Sequence, residues 1–170
     1  TAYKWSTQAR EDAPWYQHEE VGYNYRMSNV VAGVVRGQYP YLEEHIAQKK
    51  AIYKRYQEAF SDLPVQINPI VDDAQPNYWL SAMTSNQDYM CPQIRDDSRA
   101  CYVSESGKTC PTEILEALAS VNAEGRPIWK PMHMQPLYKD NDFITANDNV
   151  GEDIFARGLC LPSDIKMTEE

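Results

Sequence analysis

Within Trp129-Lys130-Pro131-Met132-His133-Met134-Gln135-Pro136, two prolines bracket a histidine and a glutamine, with a tryptophan and a lysine in front. Proline fixes φ and removes a backbone donor, so this segment is stiff. The residues before the prolines, Lys130 and Gln135, are pushed toward extended geometry. The expectation is a stiff extended segment. It either aims polar side chains at a site or forms an edge strand.

At 170 residues the chain suits one domain or two small ones, and it can bury a core without staples. A formal charge of −9 argues against a nucleic-acid backbone or an anionic membrane as partner. Cys91, Cys101, Cys110 and Cys160 form no Cys-x-x-Cys pair, and His18, His45 and His133 are scattered, so no metal site is indicated. Reduced thiols in a cytoplasmic setting are the default expectation. No apolar run approaches the roughly 18 residues of a membrane helix. The chain starts without Met, and Thr168 would cap a helix that has no body, which reads as a piece of a longer protein.

Residues 1–27 read as irregular. Ser28 can cap a helix carrying Val30, Val31, Val34 and Val35. Pro40 opens a second helix with Leu42, Ile46, Tyr53, Tyr56 and Phe60 on one face. Its basic cluster Lys49, Lys50, Lys54 and Arg55 suits a C-terminal dipole end. A strand follows at 77–84, then a long polar loop at 85–108. Pro111 opens a third helix with Gly125 as its C′ glycine, and a strand covers 126–129. Asn149 or Asn147 caps a fourth helix that Gly158 ends, and Leu159 to Pro162 return as a strand. The sum is a long helical arm, then strand, helix, strand, helix, strand. This is an α/β arrangement with a small sheet, mixed or antiparallel, and helices on one face.

Gly22-Tyr23-Asn24-Tyr25-Arg26-Met27-Ser28 feeds the first of these helices. Asn24 offers amide donors, and Arg26 offers a permanent charge with a planar fork for phosphate or carboxylate. Taken alone, such a pair is more often a cap and a surface ion pair. His133 is the one histidine in a proline-braced setting, where a half-buried, satisfied ring is the plainer reading. Lys130 can meet a phosphate or simply be solvated. Trp129 and Tyr138 read as core or interface. Arg10, Glu11 and His18 show no pattern. No Gly-x-Ser-x-Gly and no P-loop is present.

Taken together, the order of segments is more specific. Ser6-Thr7-Gln8-Ala9-Arg10-Glu11, His18, Gly22 to Asn29, Trp129 to Pro136 and Arg157-Gly158-Leu159-Cys160-Leu161-Pro162-Ser163 occur in sequence. This resembles the C-terminal part of the DegT/StrS-type nucleotide-sugar aminotransferases, which are pyridoxal-phosphate enzymes of the aspartate-aminotransferase fold. The likeness is strongest to the branch that aminates C4 of UDP-4-keto-6-deoxy-N-acetylhexosamines in cell-surface glycan synthesis. It covers nearly the whole chain, and loop 85–108 matches least.

The resemblance implies the small C-terminal domain of that fold over 28–170, with 28–60 as its helical arm and 1–27 as an irregular junction from the large domain. It implies pyridoxal 5'-phosphate as cofactor of the full-length parent, a homodimer, and a UDP-linked sugar with glutamate as substrates. The Schiff-base lysine would lie upstream of Thr1, so Lys4 is not it and no catalytic residue falls in this chain. Asn24 would reach the cofactor phosphate of the partner subunit, with Arg26 nearby. His133 and Lys130 would face the sugar nucleotide. The chain alone would be inactive. The alternatives are a pyridoxamine-phosphate sugar dehydratase of the same family and a non-catalytic interaction module.

Overall fold

A computed structural model describes residues 1–96, 99–146 and 149–167. The expected caps at Thr168 and Asn147 lie outside the described residues. The chain divides into two compact units, Thr1–Glu43 and Glu44–Glu170, the division falling inside the helical arm.

The first unit is more ordered than its composition suggests. A short helix α1, Ala2–Ser6, stands where irregular chain was expected. Antiparallel bridges then join Thr7 to Asn24 and Arg10 to His18. Helix α2, Asn29–Gln38, is capped as expected by the Ser28 hydroxyl, which accepts from the Val31 amide. Its valines are exposed, from 47% at Val35 to 78% at Val30. A 3-10 turn over Tyr39–Tyr41 holds Pro40 and leads into α3, Leu42–Ala59.

In the second unit, α3 runs past its basic cluster, which therefore sits mid-helix and leaves no basic residue in the last turn. The helix is held by its aromatics instead. Tyr53 Oη donates to the Asn68 carbonyl at 2.9 Å, and Tyr56 Oη to the Pro162 carbonyl at 2.7 Å. Buried Ile52, unremarked in the sequence pattern, joins Tyr53 on this face.

Strands β1 (Val65–Ile67), β2 (Ala82–Ser85), β5 (Arg126–Pro127) and β6 (Gly158–Cys160) form one sheet in the order β1-β2-β6-β5, every neighbour antiparallel. Pro127 sits in the edge strand, where a missing donor costs least. Met83 and Leu159 are register partners and share a face with Ile67. On that face Met83, Leu159 and Leu161 form the core, covered by Tyr56 and Phe60 of α3 and by Ile114 and Leu115 of helix α4, Pro111–Ser120. Burying a side chain such as Leu159 stabilises the fold by roughly 1.5–3 kcal/mol.

Several expectations need correction. The strand at 77–84 shrinks to Ala82–Ser85, and the strand at 126–129 to two residues. The loop 85–108 contains a hairpin of β3 (Gln93–Arg95) and β4 (Ala100–Tyr102). Its Gln93 Oε1 accepts from the Thr112 amide and hydroxyl, which ties the hairpin to the start of α4. Gly125 is not the C′ residue of α4. That helix ends at Ser120, and Asn122 takes the left-handed position at φ 60°. Trp129 is 64% exposed and lies against Trp79 with ring centroids 6.0 Å apart, so it is not core. Helix α5, Val150–Arg157, is capped by Asn149 as expected.

Candidate functional site

The first unit builds a polar cleft from backbone crossings. The Gln8 amide donates to the Tyr23 carbonyl at 2.8 Å, and the Tyr23 amide to the Trp5 carbonyl at 2.7 Å. Gln8 and Ala9 both take positive φ, 70° and 50°. The chain crosses so closely that a Cβ on Gly22 would lie 2.2 Å from the Ala9 nitrogen. Only glycine fits that crossing.

The resulting cleft, about 600 Å³, is lined by Asn24, Arg26 and Arg10, with Glu11 and Asp12 opposite in charge. Asn24 Oδ1 accepts from the Arg26 amide at 3.4 Å, leaving the amide nitrogen of its side chain available. Arg26 is exposed, and its guanidinium has no hydrogen-bond or ion-pair partner among the described residues. Arg10 stacks on Tyr16 at 4.1 Å. His18 Nδ1 donates to the Gln8 carbonyl at 2.9 Å. Arg10 and His18, which carry no local signal in the sequence, are thus paired by the fold.

Lys4 is engaged elsewhere. Its ammonium pairs with Glu11 and, at 3.1 Å, with Glu20, and these two carboxylates raise its pKa above the ordinary lysine value. Glu20 is lowered in turn, first by the Trp5 indole N–H at 2.8 Å and then by Lys4.

The second unit holds His133 and Lys130. The bracketed segment is not extended throughout: Met132–Met134 form a 3-10 turn, while Gln135, before Pro136, keeps the extended φ −71° and ψ 137°. Proline's missing donor suits the turn, because Pro131 only has to accept, here from the Met134 amide at 3.0 Å. Gln135 Nε2 donates to the Lys130 carbonyl at 3.3 Å and braces the loop. The His133 side chain is 18% exposed. Its Nε2 lies 2.7 Å from Glu152 Oε1 and 2.9 Å from Asn149 Nδ2, and Phe143 stacks on the ring at 3.8 Å. The ring is half-buried, with Nε2 engaged and Nδ1 without a partner among the described residues. Its partners Glu152 and Phe143 carried no signal in the sequence, since nothing local joins them to the turn.

The model of the DegT/DnrJ/EryC1/StrS aminotransferase family matches residues 2–170. The chain belongs to that family. Over 168 residues it is 38% identical to EpsN of Bacillus subtilis, a protein named as a pyridoxal phosphate-dependent aminotransferase, covering 97% of this chain and 38% of that one. It is 25% identical over 155 residues to the GDP-perosamine synthase of Escherichia coli O157:H7, covering 91% of this chain and 36% of the relative. A DegT/DnrJ/EryC1/StrS aminotransferase of Brucella abortus superposes with a TM-score of 0.74 at 19% identity, over 99% of this chain and 39% of that structure. The family member described here therefore spans well under half the length of these relatives. Its mixed helices and small antiparallel sheets are those of the corresponding part of the aminotransferase fold.

Proposed function

We propose that this chain is the C-terminal part of an enzyme that moves an amino group from glutamate to C4 of a UDP-linked 4-keto sugar in cell-surface glycan synthesis. The parent works as a homodimer with pyridoxal phosphate. The observation that carries the reading is the family match across residues 2–170, with EpsN and a GDP-perosamine synthase among the relatives.

The residues present fit the cofactor's phosphate and not its carbonyl. In the cleft, Asn24 and Arg26 offer an amide donor and a guanidinium fork without partners among the described residues, the donor set that a phosphate takes. Lys4 is held by two carboxylates. When bound, the cofactor supplies a carbonyl that takes up the donor's amino group and gives it to the keto sugar. Asn24 and Arg26 bind and orient the phosphate of the partner subunit's cofactor, so each would complete a site it does not itself contain. His133 and Lys130 bind the sugar nucleotide, the lysine as a point charge for its phosphates and the imidazole as a directional hydrogen-bonding group.

The test uses the full-length parent with glutamate and either a UDP-linked or a GDP-linked 4-keto-6-deoxy sugar. Mass spectrometry should show the aminated UDP sugar together with 2-oxoglutarate. A product that has lost water without gaining nitrogen would assign the parent to the dehydratase reaction. Amination of the GDP sugar alone would overturn the UDP assignment.

A further inference from the structure

We propose that Glu152, aimed by Asn149, is a positioning residue that holds His133 with its proton on Nε2 and its Nδ1 offered as the acceptor for a sugar-nucleotide hydroxyl. The substrate half of this inference rests on the function proposed above. The positioning half stands on the geometry of the second unit alone.

Asn149 is the N-cap of α5, and its Oδ1 accepts from the Glu152 amide at 3.3 Å. That bond decides which way the carboxamide faces, because only oxygen can accept there. The amide nitrogen must then face the other way, against Glu152 Oε1 and 2.9 Å from His133 Nε2. Glu152 stands at the third position of the helix, where a capping-box glutamate would reach back to the cap's backbone amide. Here its Oε1 instead lies 2.7 Å from His133 Nε2.

The two contacts at Nε2 make different demands. An amide nitrogen only donates, and a carboxylate only accepts. The shared oxygen resolves them: Nε2–H and Asn149 Nδ2 each donate to Glu152 Oε1, and the 2.9 Å approach of Nδ2 to Nε2 is then two donors meeting on one acceptor, not a hydrogen bond. The reverse tautomer, with a bare Nε2, would set a lone pair against the carboxylate at 2.7 Å. The proton on Nε2 is therefore dictated by the cap.

Phe143 covers one ring face at 3.8 Å with planes 18° apart. The turn that carries the histidine is pinned by the Gln135 amide donating to the Met132 carbonyl at 3.0 Å. Clamped on one edge and one face, the ring in its Nε2–H tautomer has a single lone pair left, on Nδ1, which has no partner among the described residues. Such a group reads hydroxyls and rejects bare carbonyl oxygens.

The full-length parent, the variants Glu152→Ala, Glu152→Gln and Asn149→Ser, and NMR of the imidazole nitrogens test this. His133→Gln assigns the signal. The wild type should show a protonated Nε2. Glu152→Ala should release the ring to a tautomer mixture and raise KM for the sugar nucleotide about fivefold, the value of one ordinary hydrogen bond. Its kcat and KM for glutamate should stay within about twofold. Glu152→Gln keeps an acceptor oxygen and should restore the tautomer. Asn149→Ser keeps the cap but cannot reach Oε1, so melting should hardly change while the tautomer loosens. An unchanged tautomer in Glu152→Ala overturns the positioning. A changed tautomer with unchanged sugar KM overturns the role in recognition. Should the parent aminate no sugar nucleotide at all, the function proposed above falls, and the imidazole signal still decides whether Glu152 sets His133.

Discussion

Gly22 passes beneath the Gln8–Ala9 peptide so closely that a Cβ would stand 2.1 Å from the Gln8 carbonyl carbon. Both Gln8 and Ala9 are in left-handed backbone conformations there.

Gly22→Ala should therefore destabilise the first unit by about 1–3 kcal/mol, as overpacking does, and more if the crossing has to open. Hydrogen exchange at the Tyr23 amide, which donates to the Trp5 carbonyl, reads this directly. Wild-type protection in the variant would mean the crossing tolerates a side chain.

The cysteines should divide sharply. Cys101 is exposed, while Cys91, Cys110 and Cys160 are buried. Burial, and then the neighbouring Cys110, push the Cys91 thiol up to about 12, so it stays protonated where an ordinary thiol would ionise. Alkylation at pH 8 should modify Cys101 at least about tenfold faster than the others. The sign on the alkaline side follows. Between the ordinary thiol value and about 12 the unfolded chain loses a proton that the folded chain keeps, so stability falls as pH rises through that window. Fast labelling of Cys91 would contradict the burial.

Asp153 and Arg157 predict the opposite limb. The Arg157 guanidinium, hydrogen-bonded to Asp153 Oδ1 at 2.7 Å, holds that carboxyl below its ordinary value. A depressed carboxylate contributes above its unfolded pKa and is lost as pH falls through the folded one. The carboxylate is half-exposed, so the contribution is about 0.2–1 kcal/mol. Asp153→Asn should lower neutral-pH stability by that amount and flatten the acid limb, so that variant and wild type converge at low pH. A variant with the wild-type acid limb would place the titration elsewhere.

Helix α2 presents Val30, Val31, Val34 and Val35 largely to solvent, an unusual stripe on an exposed helix. The chain should self-associate as its concentration rises, and Val31→Lys or Val34→Lys should abolish this without lowering its melting temperature. Light scattering over a dilution series decides. A strictly monomeric wild type whose lysine variants unfold would make the stripe internal core.

Much of this architecture was legible because its signals are local. Ser28 and Asn149 announce helices by hydroxyl and amide caps, and Pro111 by its tolerance of a first turn. Val65–Ile67 escaped because three residues after a proline give no period to read. The hairpin escaped because Ile94 and Cys101 face solvent and break the usual alternation. At the sites, Asn24, Arg26 and His133 stand out by residue type and proline bracing. Glu152 does not, because its contact with His133 exists only once α5 has docked beside the turn. Loop 85–108, matched least well in sequence, folds against α4 through Gln93 and Thr112.

Strand β6 is the last regular element among the described residues, yet it sits in the interior of the sheet between β2 and β5. A ribosome making this protein releases β1 and β2 long before their inner neighbour exists. The hairpin, α4, β5 and α5 must all emerge before Leu159 can meet Met83. Closing so long a loop costs entropy before any contact is rewarded. The second unit should therefore acquire its core late and all at once. A nascent chain halted before Gly158 would be a substrate for chaperones, with Tyr56, Phe60, Ile114 and Leu115 lacking Leu159 and Leu161 to pack on.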